Sequence, residues 1–203
     1  MGTEVLRVDP ARPEPTSLTR AAELLKSGRV VAFPTETFYG LAVAALAARA
    51  VRELFTLKGR PEAKPILVLV DSVAMAEAVA VVGELARDLM TRYWPGALTL
   101  VLPARDVVPT EITAGTGTIG VRLSSHPVAV ALVRAFGAPI TAPSANPTGA
   151  APATSAAAVL DYFPEMLDLV LDGGATAGGP PSTVLDATFA PPRVIREGAV
   201  RVP

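Results

Sequence analysis

A buried strand and a polar turn follow one another in the stretch RVVAFPTETFYGL, residues 29–41. Residues 29–33, which are apolar after Arg29, predict a buried strand, and Pro34 ends it abruptly. Two hydroxyls, a carboxylate and a phenol then lie between apolar flanks, where threonine and glutamate side chains could bind an ammonium or hydroxyl group. Taken alone, the turn is more typical of a strand-to-helix connection with a capping threonine.

Strands and helices alternate on both sides of this stretch. Strands are predicted at residues 5–8, 29–33, 66–70, 98–102, 119–123, 140–142, 169–171, 184–186 and 193–195. Helices are predicted from about residue 17 to Gly28, over 49–57, after a cap at Asp71 or Ser72, from Gly83 to residue 93, over 127–136 and near 155–162. This order predicts an α/β fold in which helices cover a twisted mixed sheet. With no internal repeat or shift in composition, residues 1–203 are expected to form a single domain.

The composition excludes several classes of protein. Half of the 203 residues are hydrophobic and none is cysteine, which excludes global disorder, a disulfide framework, a thiolate nucleophile and a cysteine-bound metal. No apolar run reaches the roughly 20 residues that a membrane span needs. The net charge of −1 does not indicate a general nucleic-acid or membrane surface. We therefore expect a cytoplasmic protein.

Three of the cationic side chains lie close together in the segment KGRPEAKP, residues 58–65. The chain has fifteen arginines and only three lysines, yet Lys58 and Lys64 flank Arg60 here. Ammonium and guanidinium groups held between two prolines can converge on one polyphosphate through charge-assisted hydrogen bonds. The alternative is a solvated charged loop, and the concentration of lysine favours anion binding.

Two further patterns have ordinary explanations. The run GTGTIG at residues 115–120 matches a dinucleotide-binding pattern, but it leads into a predicted strand, whereas that pattern requires a helix. Thr118 and Arg122 can still face a ligand from this strand. His126 is the only histidine, and its position at a helix start is more typical of local hydrogen bonds than of a catalytic base.

Polar loops also follow the later strands. The segment TAPSANPTG, residues 141–149, can bring hydroxyls, an amide and main-chain N–H groups to a ligand, although a tight turn fits it equally well. Glycines at 173–174 and 178–179 allow close approach of the backbone to a ligand, or a mobile loop. Arg196 follows a late strand, where a surface salt bridge is the ordinary expectation.

In combination and in this order, the motifs resemble the YrdC family of threonylcarbamoyl-AMP synthases. The resemblance covers about residues 17–198 and includes the K-x-R and S-x-N signatures, met here by Lys58, Arg60, Ser144 and Asn146. The matching segments are PTETFYGL (34–41), KGRPEAKP (58–65), WPGALT (94–99), VR (121–122), APSAN (142–146) and PSTV (181–184).

The resemblance implies a twisted open sheet around a large, concave, positively charged cavity. It implies that threonine is bound by Thr37, Arg122, Ala142 and Ser182. It implies that the nucleotide is bound by Lys58, Arg60, Lys64, Thr118, Ser144, Asn146 and Arg196. Within these sets, Lys58, Arg60 and Arg196 are expected to act catalytically by stabilising charge on the phosphates. Longer relatives carry a further C-terminal domain, which we do not expect in a chain ending at Pro203.

Three positions depart from the family's pattern. Leu69 stands where certain relatives have a histidine, so the polar contact of that histidine with threonine is not carried over. Pro152 replaces a serine that could supply a hydroxyl to the nucleotide. Phe38 replaces the more usual valine, and we expect that change in size to matter little.

The family's reaction condenses L-threonine, bicarbonate and ATP to threonylcarbamoyl-AMP and pyrophosphate, and Mg²⁺ is expected to accompany the ATP. The expected partner is a downstream tRNA threonylcarbamoyl transferase that modifies the adenosine beside the anticodon, with at most weak contact between this chain and tRNA. Two alternatives are a YrdC-like RNA-binding protein without synthase activity and a carbamoyl-adenylate enzyme of hydrogenase maturation. The signature residues and the near-neutral charge favour the synthase.

Overall fold

The computed structural model describes residues 2–59 and 64–202, in which strands and helices largely alternate as far as α7 and only strands follow. The strands are β1 (Glu4–Arg7), β2 (Val31–Pro34), β3 (Tyr39–Ala42), β4 (Val68–Leu69), β5 (Leu98–Pro103), β6 (Thr118–Arg122), β7 (Ile140–Thr141), β8 (Leu169–Asp172), β9 (Thr183–Asp186) and β10 (Arg193–Arg196). The helices are α1 (Pro15–Lys26), α2 (Ala48–Lys58), α3 (Val73–Val79), α4 (Glu84–Tyr93), α5 (Thr110–Thr113), α6 (Pro127–Phe136) and α7 (Ala156–Tyr162). The predicted α/β fold is confirmed.

The strands are arranged in two mixed ladders that meet edge to edge. One ladder has the order β1-β8-β2-β3, and the other has the order β10-β9-β5-β6-β4-β7. Their edge strands β3 and β7 are joined by Thr141, whose Oγ1 accepts from the N–H of Val43 and donates to the carbonyl of Leu41, each at 3.0 Å. An isolated bridge between Gly40 and Ser144 extends this contact. The loop after β7 therefore lies beside the β2–β3 hairpin.

Helices bury apolar faces against both ladders. Helices α1 and α6 pack together over the first ladder, where Leu25, Leu132 and Leu169 are fully buried. Helix α2 buries Val51, Leu54 and Phe55 in a second and larger cluster, as the sequence pattern predicts. Burial of leucine and phenylalanine side chains is the main stabilising contribution to such a core. It leaves the polar loops at the strand ends free to form a site.

Two local signals act as the sequence predicts. Ser72 caps α3, since its Oγ accepts from the N–H of Met75 at 3.2 Å. Helix α6 begins at Pro127, and the His126 Nδ1 accepts from the N–H of Val128 at 3.2 Å. Burial lowers the pKa of His126, with a smaller opposing effect from Glu36. The histidine caps the helix through its Nδ1 acceptor, as expected from its position.

The turn at residues 35–38 differs from its local interpretation. It does not lead into a helix; it closes a hairpin in which Phe33 pairs with Gly40 and Pro34 with Tyr39. The Thr35 Oγ1 donates to the carbonyl of Phe38 at 2.7 Å, so this threonine stabilises a β-turn and caps no helix. Strand β3 is apolar and fully buried, and a local pattern cannot distinguish such a strand from the start of a buried helix.

Within residues 2–59 and 64–202, no helix combines the length and the apolar character that crossing a membrane requires.

Candidate functional site

A cavity of about 610 Å³ opens where the β2–β3 hairpin, strands β5 and β6, the loop after β7 and the start of β9 converge. Seven of the residues expected to bind substrates line it. They are Thr37, Thr118, Arg122, Ala142, Ser144, Ser182 and Arg196. A volume of this size is typical of a small-molecule site. The fold thus brings residues from five distant parts of the chain to one cavity, while their roles stay predictions.

The remaining expected residues lie elsewhere. Lys58, Lys64 and Asn146 are described by the structure but do not line the cavity. Arg60 lies outside the described residues. Lys64 is an exposed residue, and its neighbour Pro65 does line the cavity. The signature lysine and asparagine are therefore set behind the cavity wall, and Ser144 is the signature residue that reaches it.

Arg122 is a buried cation at the end of β6. Its side chain is 5% exposed, and its nearest charge is Glu36, with Nε 3.9 Å from Oε1. Neither of these two atoms makes a hydrogen bond to a described residue. Burial lowers the pKa of Arg122, and Glu36 opposes this shift. A guanidinium in a cavity wall with unused donors is suited to binding a carboxylate or a phosphate.

Ser182 links Arg196 to the floor of the cavity. The Arg196 Nη2 donates to the Ser182 carbonyl at 2.7 Å and to its Oγ at 3.1 Å. The Ser182 Oγ also lies 3.1 Å from the Oγ1 of Thr99. Burial of its guanidinium, and then repulsion from Arg122, lower the pKa of Arg196. Arg196 thus leaves the exposed edge strand β10 and turns inward, instead of forming the surface salt bridge expected from the sequence.

Lys58 holds the loop that carries Ser144 and Asn146. The lysine is 4% exposed, and its Nζ donates to the carbonyls of Ser144 and Asn146, each at 2.5 Å. The Lys58 carbonyl accepts from the N–H of Thr148 at 2.9 Å. The Asn146 amide donates to the carbonyls of Pro147 and Ala150, which closes the loop on itself. Lys58 and the S-x-N loop are therefore joined across 86 residues of sequence.

The positions that depart from the family's pattern have different surroundings. Leu69 is fully buried in the apolar core and does not line the cavity. Phe38 and Pro152 both line the cavity, where they supply apolar wall. The nucleotide hydroxyl contact that a serine could make at position 152 is therefore replaced by a proline ring.

Other lining residues were not singled out as ligands from the sequence. They include Tyr39, Thr99, Thr116, Asp186 and Ile195. Tyr39 and Thr99 lie inside the family motifs 34–41 and 94–99, and this position in the motifs could have identified them as lining residues. Asp186 supplies a carboxylate and Arg122 and Arg196 supply the cations among the described lining residues. The positive charge expected for the cavity stays a prediction.

We expect Tyr39→Phe to destabilise the wall of the cavity. The phenol is fully buried and donates to the carbonyl of Gly174 at 2.7 Å, so its loss should lower the free energy of unfolding by about 1 kcal/mol. Burial and, to a lesser extent, Asp172 raise the pKa of Tyr39 from 10.0 to about 12. Between these two values the native state keeps a proton that the unfolded chain has lost, so wild-type stability falls as pH rises.

Chemical denaturation at neutral pH and between the two pKa values measures both effects. The wild type should lose stability faster than Tyr39→Phe in the alkaline range, because the variant lacks the titrating group. Tyr162→Phe is the matched control, since the Tyr162 hydroxyl makes no hydrogen bond to a described residue and its removal should change little. Equal stability of Tyr39→Phe and wild type at both pH values would contradict the assignment.

Known proteins share this architecture over nearly the whole chain. The Sua5/YciO/YrdC family model, described as "Telomere recombination", matches residues 23–198. A threonylcarbamoyl-AMP synthase of Pyrococcus abyssi is 42% identical over 190 residues, which are 93% of this chain and 56% of that protein. A threonylcarbamoyl-AMP synthase of Halorhodospira halophila is 39% identical over 165 residues, which are 81% of this chain and 86% of that protein.

A solved structure extends the comparison. The crystal structure of Pyrococcus abyssi Sua5 complexed with L-threonine superposes with a TM-score of 0.93 at 42% identity. The match covers 97% of this chain and 58% of that chain, so this chain spans little more than half the length of the Pyrococcus protein. Because the family model matches most of the sequence and the relatives exceed one third identity, the chain belongs to the Sua5/YciO/YrdC family.

Proposed function

We propose that this protein is an L-threonylcarbamoyladenylate synthase, a nucleotidyltransferase that condenses L-threonine, bicarbonate and ATP and releases pyrophosphate. The names of the relatives support this function and not the RNA-binding alternative. The observation that carries the proposal is the pair of guanidiniums, Arg122 and Arg196, that face one cavity beside Ser182. The Arg122 Nε makes no hydrogen bond to a described residue, and Arg122 lines the cavity, where its guanidinium can bind an anionic substrate.

The two predicted subsites adjoin at Ser182. The threonine set includes Arg122 and Ser182, and the nucleotide set includes Arg196, which donates to Ser182. A carboxylate held by Arg122 and a phosphate held by Arg196 would therefore lie side by side. Such juxtaposition supplies the alignment on which a reaction between two bound substrates depends.

The chemistry needs no nucleophile from the protein. The neutral amine of threonine bonds to the carbon of bicarbonate with loss of water, which gives N-carboxythreonine. An oxygen of the new carboxylate then attacks the α-phosphorus of ATP, and the bond from that phosphorus to pyrophosphate breaks. Guanidiniums already in place stabilise the charge that develops on the phosphate oxygens. The absence of cysteine and the capping role of His126 agree with this route.

A divalent cation fits this site only in company with the nucleotide. Among the described residues, no three histidine, aspartate or glutamate side chains come together to hold a metal. Mg²⁺ is commonly held by one or two carboxylates together with substrate phosphates. Within the part of the chain that the structure describes, Asp186 is the carboxylate that lines the cavity, and we assign it as the side chain nearest to such an ion. When bound, Mg²⁺ would neutralise charge on the phosphates.

The chemistry of the product indicates which kind of reaction must consume it. A mixed anhydride of a carbamic acid and a phosphate hydrolyses readily, so it must pass to an acceptor soon after release. We assign that step to a tRNA threonylcarbamoyl transferase, with tRNA as the final acceptor. A cytoplasmic location stays a prediction from the sequence, as does a single domain over residues 1–203.

Pyrophosphate release by the purified protein tests the proposal. Reactions contain ATP and Mg²⁺, with threonine and bicarbonate each present or omitted, and the nucleotide product is identified by mass. Release that requires both co-substrates supports the synthase. Release without threonine would indicate a different acceptor, and no release under any condition, together with salt-dependent binding of RNA, would favour the RNA-binding alternative.

Arg60 stays a predicted phosphate ligand, by resemblance alone. We expect Arg60→Ala to fold and to lose adenylate formation, because a charge-assisted contact to the phosphates is removed. The measurement is pyrophosphate release by the soluble variant, with circular dichroism as the check on folding. Near-normal turnover would refute the role.

A further inference from the structure

Glu36 is a partly buried carboxylate that has no role in the reaction described above. It occupies the turn between β2 and β3, and its side chain is 17% exposed. Its neighbours Thr35 and Thr37 line the cavity, whereas Glu36 itself does not. The turn is held by Thr35, whose Oγ1 donates to the carbonyl of Phe38 at 2.7 Å and accepts from the N–H of Phe38 at 3.3 Å. Glu36 is thus fixed behind the cavity wall.

The two carboxylate oxygens of Glu36 have different partners. The Oε2 atom accepts a short hydrogen bond from the Ser124 hydroxyl, and the Ser124 Oγ accepts in turn from the N–H of His126 at 3.1 Å. The Oε1 atom is buried, makes no hydrogen bond to a described residue and lies 3.9 Å from the Nε of Arg122. At this distance the two groups form an ion pair but no hydrogen bond. Ser124 therefore orients a carboxylate whose free oxygen is directed at a buried guanidinium.

The charge of Arg122 depends on this carboxylate. A buried cation without a counter-ion is strongly destabilised, and Arg122 also lies near enough to Arg196 for the two cations to repel one another. Glu36 supplies the opposite charge on the side away from the cavity. Because the Nε edge of Arg122 is turned to Glu36, the other donors of the guanidinium are the ones available to a ligand in the cavity.

We propose that Glu36 is a positioning residue for the amino-acid substrate: it holds Arg122 charged and oriented so that Arg122 receives the substrate carboxylate. The inference rests on the proposed synthase function and adds a residue that does not touch the substrate. It predicts that loss of the Glu36 charge impairs binding of threonine much more than binding of ATP.

Calorimetric titration with L-threonine and, separately, with ATP tests the inference on the whole chain. Glu36→Gln should raise the Kd for threonine about tenfold or more, because one member of a buried charge pair is lost, and should change the Kd for ATP less than about threefold. Glu36→Asp keeps the charge at a greater distance from Arg122 and should give an intermediate Kd. Glu111→Gln is the matched control: Glu111 pairs with Arg52, its side chain is 19% exposed, and its residue does not line the cavity.

A second arm tests whether Glu36 acts through Arg122. In an Arg122→Lys background, adding Glu36→Gln should weaken threonine binding further by less than about twofold, since the fork that Glu36 orients is already gone. Threonine binding by Glu36→Gln within twofold of wild type would overturn the inference. Equal loss of threonine and ATP binding, with a lowered Tm, would also overturn it by indicating a general structural role. A wild type that binds ATP but not threonine would overturn the proposed function itself.

Discussion

Replacement of Arg122 by alanine is expected to reduce threonine-dependent pyrophosphate release at least about 100-fold in kcat/KM, because the buried cation that we propose as the ligand of the substrate carboxylate is lost. The reduction should be large because Arg122 lines the cavity and its Nε makes no hydrogen bond to a described residue. Replacement of an arginine whose N–H groups were all hydrogen-bonded to the protein would reduce kcat/KM less. The measurement is the initial rate against threonine concentration at saturating ATP.

Two further variants separate charge from packing. Arg122→Lys keeps a cation but loses the planar fork, so kcat/KM should fall between those of the alanine variant and wild type. Arg49→Ala removes an arginine that is 87% exposed and should leave the rate unchanged. Thermal unfolding must accompany the rates, since Arg122→Ala also leaves Glu36 without its buried counter-charge. Turnover by a folded Arg122→Ala protein within a factor of a few of wild type would exclude Arg122 from the substrate site.

Lys58→Met is expected to disrupt the loop after β7 even when no nucleotide is bound. The Lys58 Nζ donates to the carbonyls of Ser144 and Asn146. Without it the Ser144 carbonyl keeps only the N–H of Asn146 and the buried Asn146 carbonyl loses its donor, which should lower the free energy of unfolding by about 1–3 kcal/mol. Because Ser144 lines the cavity, the KM for ATP should rise with the loss of stability. Lys26→Met, in the exposed last turn of α1, is the matched control and should change neither quantity.

Amide hydrogen exchange distinguishes this role from direct contact with phosphates. The N–H groups of Asn146, Thr148 and Ala150 donate to the carbonyls of Ser144, Lys58 and Pro147. If Lys58 organises the loop, these amides exchange faster in Lys58→Met than in wild type without ATP. If the lysine acted solely on bound phosphates, exchange in the free proteins would be the same and the difference would appear only with ATP. The second pattern would remove the structural role assigned here.

Much of the fold was accessible from local patterns. Helix α6 runs from Pro127 to Phe136 as predicted, because proline favours the first turn of a helix and the glycine that follows ends it in a left-handed conformation. The strands at 98–103 and 118–122 were found within a residue at each end, since their apolar runs are bounded by proline and polar turns. Strand β3 was missed because all four of its residues are buried, so the sequence shows no alternation of apolar and polar residues there.

The candidate site was accessible only as a set of motifs. Seven of the expected residues do line one cavity, although the sequence could not give the distances among them. The lysine of the K-x-R signature donates to carbonyls of the S-x-N loop, a contact that the sequence did not indicate, and its expected role on the phosphates stays a prediction. A cluster of cations in the sequence does not reveal which of them donates hydrogen bonds to the protein's own backbone, because that depends on which loops pack against the cluster.

The sequence by itself determined the α/β class, most helices and strands, and the motifs by which the chain resembles its family. These features depend on neighbours a few residues apart, which the periodicity of apolar residues and the turn-forming residues record directly. Only the tertiary structure decided that Glu36 orients toward Arg122, that Ser124 binds Glu36 across 88 residues, and that Arg196 turns inward to Ser182. Strand order and register bring such pairs together. Burial lowers the dielectric constant around them, which strengthens the interaction of each charge with its nearest partner.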